Sequence, residues 1–235
     1  MMRPTALALL LLTAAPALAA PDMDAPVQPS PASAPAPAAV AAAVAVAAPT
    51  LAVAMADLRA GRAPEAAQTL LTLARAGGAE AQFNLALLYA EGVGVPQNDR
   101  ESLYWAWRAR LAGIPAAQTL ITKMEPATTP DLRNELATRV TADLEPRIAG
   151  GEGRAMLERS VLLLDLLPEP DLQGAYVWQA LSAALGTPNA GPARDATLAR
   201  IDPKDRLAAQ DAAIAMLRDL CAGGMQAHAL CATLP

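Results

Sequence analysis

Three glycine pairs, Gly77-Gly78, Gly150-Gly151 and Gly223-Gly224, stand 73 residues apart each time, and this recurrence constrains the fold more than any other feature of the chain. Between them lie Ala112-Gly113 and Leu185-Gly186, so successive helix-ending glycines are spaced by 36, 37, 36 and 37 residues. Rarer residues share the longer offset: Trp105 with Trp178, Pro115 with Pro188, Pro130 with Pro203, Arg133 with Arg206, and Leu144 with Leu217. Tryptophan and proline seldom coincide by chance, whereas shared alanines carry little weight. A period near 36 residues has room for one helix-turn-helix hairpin, and each hairpin leaves an apolar face that only its neighbour can cover. The expected architecture is all-α: an α-solenoid of about five helix-turn-helix units.

Composition and local patterning agree. Apolar residues make up 54% of the 235-residue chain but aromatics only 3%, an alanine-rich mixture poor in strand formers. Pro64-Glu65 opens a predicted helix whose Ala67, Leu70, Leu71 and Ala74 recur at i, i+3, i+4, i+7. Gln82, Leu85, Ala86 and Tyr89 make the next stripe. Thr129-Pro130-Asp131 reads as N-cap, first-turn proline and early acid, ahead of Leu132, Leu136, Val140 and Leu144 on one side of a helix that Pro146 is expected to kink or shorten.

The N-terminal segment reads as an address. Arg3 precedes an apolar run from Ala6 to Leu18, and Ala17-Leu18-Ala19 supplies a small-x-small cleavage pattern, so residues 1–19 are read as a signal peptide removed after Ala19. The competing reading, an uncleaved anchor, has a run shorter than the roughly 20 residues a span requires, and Pro16 interrupts it. Cleavage removes Arg3 and leaves 17 basic against 23 acidic residues, a charge of -6. Residues 20–50 are read as a disordered Ala/Pro-rich linker, with 7 prolines and 12 alanines between Pro21 and Thr50. A membrane span over residues 25–56 would rest on alanine and contain six prolines, so no stable span is expected in the mature chain. Residues 51–235 form the repeat domain. The resulting localisation is periplasmic or secreted, and 16 arginines against 2 lysines with abundant Ala and Pro suggest a GC-rich bacterial source.

One unit carries a more specific pattern. Residues 81–98, AQFNLALLYAEGVGVPQN, followed by Tyr104-Trp105 and Leu111-Ala112-Gly113, resemble a Sel1-like repeat, a relative of the tetratricopeptide repeat. Gly92 and Gly94 would adopt positive φ in the reversal, and Val95-Pro96 would start the return. Residues 152–186 look like a degenerate copy in which Leu166-Leu167-Pro168-Glu169-Pro170 replaces the Gly-x-Gly turn. The units at 43–77, 114–150 and 187–223 keep only helix length and the terminal glycine. What the resemblance implies is a scaffold or adaptor in signalling, envelope or polar assemblies.

The patterns of several chemistries are missing from the sequence: a Gly-x-x-x-x-Gly-Lys phosphate loop, a Gly-x-Ser-x-Gly elbow, a His-Glu-x-x-His zinc helix, and lysine three residues after any serine. His228 is the sole histidine, so histidine-rich metal or two-histidine acid/base sites are ruled out, and it is read as a structural or surface residue. Scattered basic residues and a net charge of -5 give no footprint for nucleic acid. Gly150-Gly151-Glu152-Gly153 is read as a helix end followed by a helix start, and Glu91, Asp99 and Glu101 as solvated turn residues. No catalytic residue, cofactor or metal is expected. In one unbroken helix, the ten positions between Cys221 and Cys231 would separate their Cα atoms by about 15 Å, too far for a disulfide. A bond therefore needs a reversal, for which Gly223-Gly224 is the hinge, and it would pin the tail as a terminal cap; two free buried thiols are the alternative.

The expected function is a non-catalytic protein–protein interaction scaffold or adaptor in the bacterial envelope, binding a partner protein or peptide on the concave face. The alternative is a cell-wall-directed enzyme or peptidoglycan-binding accessory protein. Glu80, Phe83, Leu87 and Glu91 are the expected partner-binding residues, an apolar anchor with an acidic rim. The competing assignment for Phe83 is core, covered by the first hairpin.

Overall fold

A computed structural model of the chain describes residues 49–234. The assigned signal peptide, and all but the last two residues of the assigned linker, lie outside them. The described residues form ten α-helices and three short 3-10 segments, and no strand. The helices fall into five consecutive pairs: α1 (Leu51–Arg59) and α2 (Ala63–Arg75); α3 (Ala79–Glu91) and α4 (Asp99–Leu111); α5 (Pro115–Met124) and α6 (Pro130–Ala149); α7 (Gly153–Asp165) and α8 (Leu172–Ala184); α9 (Ala190–Arg200) and α10 (Arg206–Ala222).

The 73-residue period is visible in the helices. Adding 73 to the bounds of α4 reproduces those of α8, and Trp105 and Trp178 are the seventh residue of each, both buried. Side-chain caps recur at the same offset. Asn98 accepts from the Glu101 amide at 3.1 Å and Asp171 from that of Gly174 at 2.8 Å, each satisfying a donor that the first helical turn leaves free. Thr129 and Asp202, again 73 apart, cap the turns that begin with Pro130 and Pro203.

Packing shows that the structural repeat is four helices long. α3 lies against α4, and α7 against α8, as tight hairpins, while α5 and α6 both pack on α4, and α9 and α10 both pack on α8. The third and fifth pairs are therefore open, each helix touching the helix before the pair, and α6 also packs on α7. One register slip occurs inside the repeat. α7 starts 74 residues after α3, and a link to α8 that is one residue shorter (166–171 against 92–98) restores the offset.

Apolar stripes become the core as their spacing requires. Leu70, Ala74, Leu85, Ala86, Leu136, Val140 and Leu144 are buried in one cluster with Trp105, Trp107 and Trp178. In the Gly92–Gly94 turn both glycines have positive φ, and a Cβ on Gly94 would overlap the Ala63 carbonyl, so the turn fits against the start of α2 only without a side chain. α6 runs unbroken through Pro146 to Ala149, which corrects the expected shortening there. The helix continues because its final turn is held from outside: Ile148 is buried and Arg147 is bound by acids of α7 and its cap.

The expected reversal at the last glycine pair is present. Gly223 ends α10, the chain turns back, and Cys221 and Cys231 are joined by a disulfide with Cα atoms 5.7 Å apart. The tail lies across the α6–α7 corner: Gly224 approaches the Ala149 carbonyl so closely that a Cβ would overlap it, and Met225 is buried beside Gly151. His228 accepts from the Leu230 amide through Nδ1 at 3.1 Å and caps the final 3-10 turn, the structural role expected of it.

Candidate functional site: a charged groove over α4, α6 and α7

Successive residues of α4, Tyr104, Arg108 and Leu111, project along one line at i, i+4, i+7, and α6 and α7 rise beside them. Three adjoining cavities follow this line. The central one, of about 490 Å³, is bounded by Gly77, Gln82, Arg108, Asp143, Arg147 and Glu158. It shares Arg108 and Asp143 with a cavity of about 380 Å³ beside Tyr89, Trp105 and Arg139. It shares Leu111, Arg154 and Glu158 with a third of about 480 Å³, which has apolar walls from Leu157, Val161 and Pro188.

Charges in this groove are held in place by one another. Tyr104 Oη donates to Asp143 at 2.5 Å, and Arg108 donates to both Tyr104 Oη at 3.0 Å and Asp143 at 3.1 Å. Burial, reinforced by the hydrogen bond to Asp143, pushes the Tyr104 hydroxyl pKa above its ordinary value, so the phenol stays neutral. Glu158, only 7% exposed, is charge-compensated by Arg147 at 2.6 Å and Arg154 at 3.0 Å. Arg147 also grips Glu152, and that hydrogen bond holds the Glu152 carboxyl below its usual range. Arg139 spans from Glu101, at 2.8 Å, to the face of Tyr104, 4.1 Å from the ring centroid. The rim is a connected network in which Asp143 and Glu158 each have two partners.

Three side chains on these walls, Gln82, Trp105 and Arg110, each hold a buried polar atom without a partner, Nη1 in the case of Arg110. Gln82, 3% exposed, donates to the Ala74 carbonyl, but its Oε1 accepts nothing, and Trp105, 4% exposed, has an unpartnered Nε1–H.

The residues expected to bind a partner lie elsewhere. Glu80, Phe83, Leu87 and Glu91 all belong to α3; the two glutamates are exposed, while Phe83 and Leu87 are half-buried against the core. None of the four lines the groove. Of the acidic turn residues, Glu101 is engaged by Arg139, and among the described residues no three His, Cys, Asp or Glu side chains gather closely enough to hold a metal ion. No helix among the described residues is long and apolar enough to cross a membrane.

The groove residues were missed because charge at i, i+4 on a helix ordinarily marks a solvated face. A usable signal lay in the comparison of halves: Arg108, Asp143 and Arg147 stand where the second half has Leu181, Met216 and Leu220. Charge at positions that a sister unit keeps apolar marks where the two halves pack differently.

No family model matches the chain, and no curated protein matches it. Among solved structures, the chain is similar to c5321, a protective antigen present in uropathogenic Escherichia coli strains displaying an SLR fold, at 15% identity and a TM-score of 0.34. The alignment covers 76% of this chain and 47% of that one, so the chain spans about half the length of that protein. The helical-repeat architecture stands on the recurrence of helices, caps and packing partners described above.

Proposed function

We propose that the chain is a non-catalytic, Sel1-like-repeat scaffold of the bacterial envelope, exported by its N-terminal signal, and that it binds a partner protein or peptide on its helical repeats. The observation that carries this reading is the groove itself. It is continuous over three helices, about as long as α4, with charged walls fixed by internal pairing and an apolar end at Leu157, Val161 and Pro188. Such a surface offers shape and directed hydrogen bonds to a chain laid along it. Its carboxylates are each engaged by arginine, an arrangement that favours positioning over proton transfer. Export is supported by the disulfide, a bond that persists in oxidising compartments.

The test is affinity capture from an envelope extract with the mature chain, residues 20–235. Retention of a discrete protein in stoichiometric amount, lost on reversing the charge of Arg154, is the expected result. Turnover of purified peptidoglycan, or its co-sedimentation with the chain, would favour a cell-wall role instead. Intact mass after export should show a chain beginning at Ala20 with no thiol open to alkylation before reduction.

A further inference from the structure

Building on the scaffold reading, we infer that the central cleft, between the Gly77 corner and Arg108, Asp143, Arg147 and Arg154, is a binding site for an acidic, non-helical peptide segment. The chain itself shows such a site filled. Gly77 and Gly151 are counterparts, each two residues ahead of the first helix of its repeat and each with positive φ, +91° and +80°. A Cβ on Gly151 would touch His228 and Met225 at 3.4 to 3.6 Å, because the C-terminal tail lies over that corner. A Cβ on Gly77 would meet nothing within 4 Å, and Gly77 lines the cleft. The same corner is thus covered in one repeat and open in the other. The covering segment is irregular: it turns at Gly223-Gly224 and closes in a 3-10 turn from Ala229 to Thr233.

The walls show how the missing occupant differs from the tail. In the covered repeat the equivalents of Arg108, Asp143 and Arg147 are Leu181, Met216 and Leu220, suited to Met225 and Leu230. In the open repeat they are charged, suited to a polar chain. Two of the buried unpartnered atoms belong to side chains at this cleft and its neighbour. Gln82 Oε1 needs a donor and Trp105 Nε1 needs an acceptor, and they line adjoining cavities that share Arg108 and Asp143. A peptide backbone carries both groups along its length.

The sign of charge follows from the lining. Arg108, Arg147 and Arg154 line the cleft with Asp143 and Glu158, and Glu152, just outside it, also pairs with Arg147, so the cation left to attract an anion is the largely exposed Arg154. The N-terminus of α3 opens into the same cleft at Ala79 with no side-chain cap, leaving its first amides free for an anion. Arg154, with 59% of its side chain exposed, is the arginine best placed to meet an incoming carboxylate.

The probe is a set of fluorescein-labelled dodecapeptides on one Ser/Gly backbone, enriched in Glu, Gln or Lys, titrated against residues 20–235 by fluorescence polarisation with backbone amide shifts recorded in parallel. The Glu set should bind roughly tenfold or more tightly than the Gln set, against the negative charge of the whole chain, and shift the amides of Ala79 to Gln82. Arg154→Gln, which leaves Glu158 paired with Arg147, should abolish that preference while the helical circular dichroism is retained, and Ala76→Trp, which fills the corner, should do the same. Equal binding of all three sets, shifts confined to the Phe83–Leu87 side of α3, or binding indifferent to both substitutions would overturn the inference. Failure of every peptide while a partner is still captured from extract would overturn the cleft and leave the scaffold standing; loss of capture as well would remove both.

Discussion

Trp105 and Trp178 are the residues on which each repeat closes. Tyr104 meets Trp105 edge-on, with ring centroids 4.9 Å apart, and Arg159 lies 4.6 Å from the centroid of Trp178, so the cation covers the face that the next helix leaves open. Burial lowers the pKa of Arg159 from its ordinary value. Truncating either tryptophan to alanine should destabilise the fold by about 3 to 5 kcal/mol, read from urea unfolding. A loss below about 1 kcal/mol at one site would show that the two positions are not equivalent. Glu152 gives a pH prediction. Its folded pKa lies below the unfolded value because Arg147 stabilises the carboxylate, so its contribution is present above about pH 4.3 and is lost as pH falls through the folded pKa. The midpoint difference between the natural chain and Glu152→Gln should therefore hold at neutral pH and vanish in acid, and a constant difference would assign the effect to packing. Phe83 separates two roles in one measurement. As a half-buried side chain outside the groove, it should lower the thermal midpoint when changed to alanine and leave binding of acidic peptides intact.

At the level of elements, the recurring N-caps can be tested against each other. Asn98→Ala and Asp171→Ala each remove one acceptor from a first turn and should each cost about 1 kcal/mol by thermal or urea unfolding. A cost at one cap only would mean that the helix ends differ in exposure to other partners. Much of this level was legible in the sequence, because caps, first-turn prolines and glycine ends act through the backbone of their own few residues. Pro64, Thr129 and the Gly92–Gly94 turn behave as their chemistry requires. Pro146 does not, and the reason is tertiary. A local rule predicts the loss of one backbone hydrogen bond but contains nothing about Glu152 and Glu158 holding Arg147 in the next residue. The groove was illegible for a related reason. Whether Arg108 faces water or Asp143 depends on where α6 lies, and α6 is placed by its packing on α4, 35 residues away in sequence for that ion pair.

On the scale of the whole molecule, the sharing of one helix by two followers sets the size of the indivisible piece. α4 supports both α5 and α6, and α8 supports both α9 and α10, so a cut between the third and fourth members of a repeat leaves an apolar face on the shared helix with nothing to lie on it. Removing a hairpin from inside such an array therefore costs more than removing one from a simple stack, while the terminal α1–α2 hairpin rests on α3 without a shared helix. Within the two repeats, the unit that can be lost without exposing such a face is the set of four helices. A chain joined from Gly77 directly to Glu152, which removes one complete set of α3 to α6 and leaves one positive-φ glycine two residues ahead of the next helix, should remain helical with a cooperative transition. A chain joined from Gly77 to Gly113, dropping one hairpin, should melt without one by circular dichroism. The currency of change in this architecture is the 73-residue block, and the 36-residue rhythm of its glycines marks only where the helices end.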